Sequence, residues 1–135
     1  MTVGVKIIFF ILKVLNTLIP KSKNKILYIS RPDYADNAKH MYDYMLKHDA
    51  HNKKLSWIIY DKYAYDTLLS QGTDNIFYLK SFRGVYEYVT SKYIFTSSSS
   101  LWQIKSPFQI QFGLWHGIPL KTILCMGESG IKATR

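Results

Sequence analysis

A regular alternation between short apolar runs and longer amphipathic segments is the feature that most constrains the fold of this chain. The predicted strands are Ile26–Ser30, Trp57–Tyr60, Ile76–Leu79, Tyr93–Thr96 and Gln109–Leu114. The predicted helices are Asp36–His48, Tyr63–Ser70 and Phe82–Ser91, and a further helix is expected to begin near Pro119. Strands that alternate with helices of about ten residues favour parallel βαβ units. We therefore expect an α/β fold with a Rossmann-like, mainly parallel sheet, and 135 residues leave room for about one such domain.

The N-terminal segment has a different pattern, because Val3–Ile19 is almost continuously apolar. Its polar positions Lys6, Lys13, Asn16 and Thr17 fall close to one helical stripe, and Pro20 ends the segment. No small-residue cleavage site follows the apolar run, which argues against a signal peptide. Three alternatives stay open: a short spanning helix, a helix in the membrane interface, and a helix packed on the domain's own core.

The positive charge is concentrated beside this segment. The chain has 18 basic and 9 acidic residues, a net charge of +9. Six of the basic residues and no acid fall within residues 1–32, with Lys21, Lys23 and Lys25 directly after the apolar run. This pattern favours membrane contact at an anionic surface. We expect residues 1–24 to form a membrane-associating amphipathic helix with a basic linker, and residues 25–135 to form the Rossmann-like domain.

Several function classes are excluded by the motifs that the sequence lacks. A single cysteine, Cys125, excludes an internal disulfide framework, and no Cys/His spacing resembles a zinc site. Neither a glycine-rich dinucleotide motif nor a P-loop is present, so no cofactor is expected. Nothing resembles a nucleic-acid-binding module. We read Ser97–Ser100 as a flexible polar loop, and His40, His48 and His51 as surface residues.

Polar residues follow each predicted strand, and ligands in open α/β sheets bind outside the carboxyl ends of the strands. These groups are Arg31–Asn37, Asp61 and Lys62, Lys80 and Ser81, Ser97–Ser100, and Trp115–Gly117. Within the last group His116 follows an apolar strand, Gly117 permits close backbone approach, and Lys121 adds positive charge near a predicted helix start. From this pattern alone, His116 is either a general base or phosphate contact, or a structural histidine in a turn.

The segment QFGLWHGIPLKTI resembles the Q-x-W-H-G-T-P-L-K motif of the CDP-glycerol glycerophosphotransferase family, the teichoic acid primases and polymerases. The segment Tyr34–Lys39 is similar to the early D-N-x-K segment of that family, and the resemblance covers roughly residues 25–128. It implies a membrane-associated GT-B enzyme with two Rossmann-like domains, of which the N-terminal one receives the acceptor polymer and the C-terminal one holds CDP-glycerol. The enzyme transfers glycerol phosphate to a terminal hydroxyl and releases CMP.

The resemblance also implies roles for individual residues. His116 matches the motif histidine, proposed in the family as catalytic base, while Asp36 and Asn37 match positions near the acceptor cleft. Gly117 and Lys121 would help to bind the substrate phosphate. Ile118 departs from the motif, because the family has threonine there. No metal is expected.

The family's nucleotide-binding domain would follow Arg135, so we expect an N-terminal fragment or truncated product that is inactive alone. The expected function is the acceptor-binding, membrane-proximal part of a CDP-glycerol or CDP-ribitol polyol-phosphate transferase. It would act in teichoic acid or capsule synthesis at the cytoplasmic face of the plasma membrane, with a lipid-linked polyol-phosphate acceptor. The alternative is a non-catalytic basic protein that binds anionic membranes or phosphate polymers.

Overall fold

The structure is a computed structural model that describes residues 3–48, 52–98 and 101–114. The helices are α1 (Val3–Leu18), α2 (Asp36–His48), α3 (Lys62–Ser70) and α4 (Phe82–Thr90). The strands are β1 (Ser22–Ile29), β2 (Lys54–Ile59), β3 (Ile76–Tyr78), β4 (Ser91–Thr96) and β5 (Ile110–Gly113), and a 3₁₀ turn (Trp102–Ile104) precedes β5.

All five strands belong to one parallel sheet with the order β3-β2-β1-β4-β5. The predicted α/β, Rossmann-like fold and the parallel sheet are therefore confirmed. Because all strands run in one direction, their starts share one edge of the sheet, the amino edge, and their ends share the other, the carboxyl edge. Strand β1 begins at Ser22, four residues before the predicted Ile26, because the apolar run marks only the buried part of the strand.

The two faces of the sheet are covered by different helices, as the alternation of side chains along β1 requires. Ile26 and Tyr28 face the first layer, where α2 and α3 pack over Trp57. Leu27 and Ile29 face the second layer, which contains α4 and the 3₁₀ turn. Strand β1 is therefore buried on both faces, as is expected for the central strand of a parallel sheet.

A row of stacked aromatic rings crosses the sheet on the first face. The register places Tyr28 opposite both Trp57 and Phe95, and Phe95 opposite Phe112. Tyr28 stacks on Trp57 at 5.7 Å and on Phe95 at 5.4 Å between ring centroids, and Phe95 stacks on Phe112 at 4.8 Å. Burial raises the pKa of the Tyr28 hydroxyl, with a smaller contribution from Tyr42. The row joins four neighbouring strands in one register.

A buried carboxylate holds α4 against the sheet. Glu87 is 3% exposed, and its Oε1 accepts hydrogen bonds from Lys54 at 2.8 Å and Lys25 at 3.2 Å, while Ser56 donates to Oε2 at 3.3 Å. Burial by itself would raise the pKa of Glu87, but the hydrogen bonds from the two lysines outweigh it and hold the pKa below its usual value. The cluster ties α4 to the starts of β1 and β2.

Gly84 lets the first turn of α4 approach the end of β3. A Cβ atom at this position would lie 2.0 Å from the carbonyl oxygen of Tyr78, which no real contact permits. A larger residue would push α4 away from β3.

Helix α1 leaves most of its apolar surface uncovered. Phe10 is 68% and Leu18 75% exposed, and Asn16 is the only residue of Gly4–Leu18 that is buried. Within the described residues, the apolar side chains of α1 are therefore not packed on the domain's own core. No helix in the described part of the chain combines the length and hydropathy needed to cross a membrane.

Asn16 attaches α1 to the domain. Its Nδ2 donates to the carbonyl oxygen of Ile104 at 2.8 Å and to Oε1 of Gln109 at 2.9 Å. Lys21 donates to the carbonyl oxygen and to Oδ1 of Asn16 and to the carbonyl oxygen of Ile19, so its ammonium group satisfies the end of the helix. The polar stripe of α1 thus meets the domain at Asn16.

Candidate functional site

The strand order predicts a ligand crevice at the carboxyl edge, between the ends of β1 and β4. After β1 the chain turns toward α2 on the first face, whereas after β4 it turns toward the 3₁₀ turn on the second face. This divergence between neighbouring strands is the topological switch point at which open α/β sheets bind their ligands. Since all five strands end at this edge, those of the expected polar groups that fall within the described residues share it.

The loop after β1 is held in place by two side chains that the sequence analysis did not single out. Ser30 is fully buried; its hydroxyl donates to the carbonyl oxygen of Pro32 at 2.8 Å and accepts from the amide of Ala35 at 3.2 Å. The Oδ2 atom of Asp33 accepts from the backbone amides of Tyr60 at 3.0 Å and Asp61 at 2.8 Å. One loop of the crevice is therefore fastened both to itself and to the end of β2.

Asp33 has a second oxygen that this arrangement does not use. Its Oδ1 atom is buried and makes no hydrogen bond to the part of the chain that the structure describes. The sequence signal for this loop was a serine and an aspartate close after a buried strand. It could not show which backbone amides Asp33 binds, because Tyr60 lies 27 residues further along the chain, at the end of β2.

Asp36 and Asn37 lie at this edge, where α2 begins as predicted. Asp36 has a φ of +66° and Tyr34 a φ of +54°, both in the left-handed region. Such conformations cluster at ligand sites and switch regions, because only surrounding structure maintains them. The Tyr34 ring packs on Trp57 at 5.0 Å, and burial raises the pKa of its hydroxyl against the opposing effect of Lys39. The acceptor role of Asp36 and Asn37 stays a prediction.

Two of the expected polar groups at the ends of β2 and β3 have structural tasks. Asp61 caps α3, because its Oδ2 accepts from the amide of Ala64 at 2.8 Å. Ser81 caps α4, because its hydroxyl accepts from the amide of Gly84 at 3.0 Å. Both side chains therefore satisfy helix N-termini within the fold.

Arg31, Lys80 and Arg83 are cations of this edge that no carboxylate neutralises within the described residues, and the first two lie in the loops directly after a strand. Arg31 is exposed and its guanidinium lies over the ring of Tyr60, 4.2 Å from the centroid. Lys80 is also exposed. Lys62, by contrast, pairs with Asp66 one turn further along α3. Arg31 and Lys80 are therefore the groups best placed to meet a phosphate.

The loop after β4 makes hydrogen bonds in the part that the structure describes, residues 97 and 98. Its flexibility stays a prediction. The hydroxyl of Thr96 donates to the carbonyl oxygen of Ser98 at 2.6 Å and accepts from the amide of Ser98 at 3.0 Å. The amide of Ser97 donates to the carbonyl oxygen of Ile29 at 3.2 Å. These bonds fasten the loop to the end of β1 across the crevice.

The motif residues follow β5. The strand ends at Gly113, and the amide of Leu114 donates to the carbonyl oxygen of Thr96 at 2.7 Å. His116, Gly117 and Lys121, together with the helix predicted near Pro119, lie outside the described residues. Along the described ranges, no group of side chains has a composition suited to a metal ion.

The comparisons with known proteins agree with this arrangement. No curated protein matches the chain. The family model described as CDP-Glycerol:Poly(glycerophosphate) glycerophosphotransferase matches residues 11–133. That match takes in the whole sheet and the W-H-G segment. The chain therefore belongs to the CDP-glycerol:poly(glycerophosphate) glycerophosphotransferase family.

Proposed function

We propose that this chain forms the acceptor side of a polyol-phosphate transferase, with its reacting centre at the carboxyl edge of the sheet. The family membership supports a glycerophosphotransferase-type function. The observation that carries the proposal is the convergence of three loops at one crevice: the Ser30–Ala35 loop, the Ser97–Ser98 loop, and the end of β5 that leads into the W-H-G segment.

The chemistry assigns His116 the role of general base. It takes the proton from the terminal hydroxyl of the acceptor as that oxygen attacks the β-phosphate of CDP-glycerol or CDP-ribitol. The new oxygen–phosphorus bond forms while the bond to the α-phosphate breaks, and CMP leaves. A positioned base of this kind contributes about 10²–10⁴-fold to the rate, so most of the acceleration must come from alignment and charge stabilisation.

The charges of the crevice suit an acceptor polymer of phosphodiesters. Arg31 and Lys80 flank the edge without carboxylate partners in the described segments, and Lys121 is expected to add a third cation. Asp36 and Asn37 would bind the hydroxyls of the polyol between the phosphates. The left-handed backbone at Asp36 supports this role, because strained positions of that kind persist at binding sites.

We also propose a location for this reaction in the cell. Teichoic acid or capsule synthesis at the cytoplasmic face of the plasma membrane fits a lipid-linked polyol-phosphate acceptor. Helix α1 would serve as the peripheral anchor, because its apolar side chains are exposed in the folded chain and Lys6 and Lys13 accompany them.

Calorimetry on the purified chain tests the acceptor role. We expect soluble poly(glycerol phosphate) to bind and CDP-glycerol to bind weakly or not at all, since no glycine-rich phosphate loop occurs in the sequence. Replacing Arg31 and Lys80 with glutamine should weaken polymer binding about tenfold. Micromolar binding of CDP-glycerol, or release of CMP by the chain with a lipid-linked acceptor, would contradict this division of labour.

His116→Ala tests the base in an assay that includes a donor-binding domain of this family. We expect transfer to fall by at least a hundredfold, while acceptor binding is retained. His40→Ala is the matched control, because His40 is an exposed histidine on α2. Unchanged transfer in His116→Ala would favour the second candidate, a non-catalytic protein that binds anionic membranes or phosphate polymers. The lysines at the amino edge of the sheet also favour that candidate.

A further inference from the structure

The amino edge of the sheet has a high density of lysines. Five lie in the first half of a strand or just before one, and these are Lys23, Lys25, Lys53, Lys54 and Lys92. Lys25 is the fourth residue of β1, but the register pairs it with Lys54 at the start of β2. Lys21, Lys47 and Lys105 lie in the segments that flank this edge. Against these eight lysines, Glu87 and Asp74 are the acidic residues that the described part of the chain places there. Nothing in the reaction at the opposite edge uses this charge.

Several of these lysines are not neutralised by the fold. Lys25 and Lys54 share the single carboxylate of Glu87. Within the described ranges, Lys23, Lys53 and Lys92 have no carboxylate within ion-pair distance. The surface therefore keeps a strong positive potential that attracts anions.

A shallow cavity of about 430 Å³ opens at this edge, at the starts of β1, β2 and β3 and beside the end of α2. Its polar lining consists of three asparagines and two lysines, and these are Asn24, Asn52, Asn75, Lys53 and Lys54. Among the residues that the structure describes, no carboxylate lines it. Amide and ammonium groups are hydrogen-bond donors to phosphate oxygens, so the cavity suits a phosphate group.

Helix α1 joins the domain at the same edge, because only three residues separate its last residue from the start of β1. Asn16 turns the polar stripe toward the domain, where Thr17 is half-buried beside it. The exposed apolar residues of α1 therefore point away from the domain, as with Phe10 and Leu18. A helix of this kind lies in a membrane interface with its apolar face in the acyl boundary.

We propose that the amino edge of the sheet is a docking surface for an anionic phospholipid bilayer, with a lipid phosphate in the Asn/Lys cavity and α1 in the interface. The lysines of the amino edge are complementary to an anionic bilayer, and the exposed apolar residues of α1 suit its acyl boundary. Both observations therefore indicate the same partner at the same edge. Strand β1 has eight residues and spans about 26 Å at 3.3 Å per residue. With the strands along the membrane normal, the carboxyl edge stands about that far above the headgroups.

The distance of the carboxyl edge from the lipid headgroups determines which acceptor hydroxyls can reach it. This step rests on the proposed function. A hydroxyl next to the lipid headgroup lies too low to reach the crevice. A hydroxyl at the end of a chain of several polyol-phosphate units reaches it. The orientation therefore favours chain extension over addition of the first unit.

Flotation with vesicles of phosphatidylcholine and phosphatidylglycerol tests the surface. The variant Lys23→Gln/Lys53→Gln/Lys92→Gln should lose about a hundredfold in binding, since each lysine near an anionic surface contributes about 1 kcal/mol. The matched control Arg31→Gln/Lys80→Gln/Arg83→Gln removes the same charge at the carboxyl edge and should change binding less than threefold. An equal loss in both variants would show a non-specific effect of net charge and overturn the proposal.

Quenching by lipids with a nitroxide on the headgroup tests the orientation. In a Cys125→Ser background, a fluorophore at Asn24→Cys should be strongly quenched and one at Lys80→Cys should not. Equal quenching at both sites would overturn the orientation. Soluble poly(glycerol phosphate) distinguishes this inference from the proposed function: the amino-edge variant should bind the polymer normally, and loss of that binding would mean that the lysines hold the polymer and not the bilayer.

Discussion

The two edges of the sheet divide the charge of the molecule unequally. Within the described ranges, five basic residues lie around the carboxyl edge and in the first turns of the helices, with three acidic ones beside them; Asp43 and Asp66, one turn further along α2 and α3, pair with two of the five and bring the acids to five. At the amino edge of the same described part, eight lysines face two acids. At the carboxyl edge each polar side chain has a separate role: it holds a loop, caps a helix or is a candidate ligand. At the amino edge the lysines act together as one positively charged surface, so no single lysine is expected to determine binding.

This difference explains why substitutions at the two edges should have different consequences. The loops of the carboxyl edge are held by hydrogen bonds from Ser30, Asp33 and Thr96 to backbone atoms. At the amino edge one buried carboxylate, Glu87, organises two lysines of neighbouring strands. The free energy of unfolding should therefore depend most on Glu87, and less on each of the side chains that hold the loops of the opposite edge.

Glu87→Ala should have the largest effect on stability. It leaves Lys25 and Lys54 close together without their carboxylate, and breaking a buried ion pair in this way costs about 3 kcal/mol. Asp66→Ala is the control, because it removes an exposed carboxylate from an ion pair on α3 and should cost about 0.5 kcal/mol. Urea denaturation of the two variants gives the comparison, and equal losses would mean that the Glu87 cluster is no stronger than a surface pair.

The acid dependence of folding should have the same origin. The pKa of Glu87 lies below its ordinary value of 4.5 in the folded chain, so the unfolded chain binds the proton more tightly. The stabilisation is fully present above that value and is lost as the pH falls through the folded pKa. Glu87→Gln should flatten the dependence of the unfolding free energy on pH below about 4.5. A pH profile parallel to that of the natural sequence would exclude Glu87 as its source.

Gly84→Ala should have the next largest effect. The added methyl group collides with the carbonyl oxygen of Tyr78, so α4 must move away from β3, at about 2 kcal/mol. At Gly113 a Cβ atom would meet nothing within 4 Å, so Gly113→Ala should change the free energy of unfolding by less than about 0.5 kcal/mol. Thermal unfolding followed by circular dichroism separates them, and a neutral Gly84→Ala would place α4 further from the sheet than described.

Asp33→Ala should cost about 1.5 kcal/mol, because the amides of Tyr60 and Asp61 lose their acceptor. Hydrogen exchange should speed up at these two amides while the vesicle binding of the amino edge stays unchanged. Asp33→Asn keeps one oxygen acceptor and should lose less. Faster exchange across the whole sheet would show that Asp33 supports more than the loop of the carboxyl edge.

The smallest effect is expected at a helix cap. Asp61→Ala removes the acceptor for the amide of Ala64 and should cost about 1 kcal/mol, whereas Asp61→Asn keeps the cap. Chemical denaturation of the two variants measures the difference. If both lose the same amount, the charge of Asp61 rather than its capping bond stabilises α3.

The parallel direction of the strands could be predicted from sequence, because a short apolar run and a following helix already specify a βαβ unit. The bounds of α2 agree with the prediction for the same reason. The order β3-β2-β1-β4-β5 was not predicted. Contacts between residues distant in sequence could not be predicted. Asn16 was assigned to a polar stripe, but its partner Gln109 lies 93 residues away.

The charge of the folded surface was also only partly visible in the sequence. The excess of basic residues in residues 1–32 could be counted, but Lys53 and Lys92 join that charge only because parallel strands start at one edge. Similarly, nothing around Glu87 in the sequence marks it as buried, since Lys25 and Lys54 lie 62 and 33 residues away. The position of Asp36 and Asn37 at the carboxyl edge was predicted because they follow the first of the parallel strands, whereas their roles stay predictions.

The aromatic row of Tyr28, Trp57, Phe95 and Phe112 makes the register of the sheet visible to spectroscopy. Tyr28 and Trp57 are close enough for resonance energy transfer, and Trp57 is fully buried while Trp102 is exposed. A shift of one strand by one residue would move its ring to the opposite face and separate the pair. The rings of Tyr34 and Tyr42 also lie close to Trp57, at 5.0 Å and 5.9 Å between centroids. Tyrosine-excited emission of Trp57, measured in a Trp102→Phe/Trp115→Phe background in which Tyr34 and Tyr42 are also replaced by phenylalanine, would therefore report whether β1 and β2 are correctly paired.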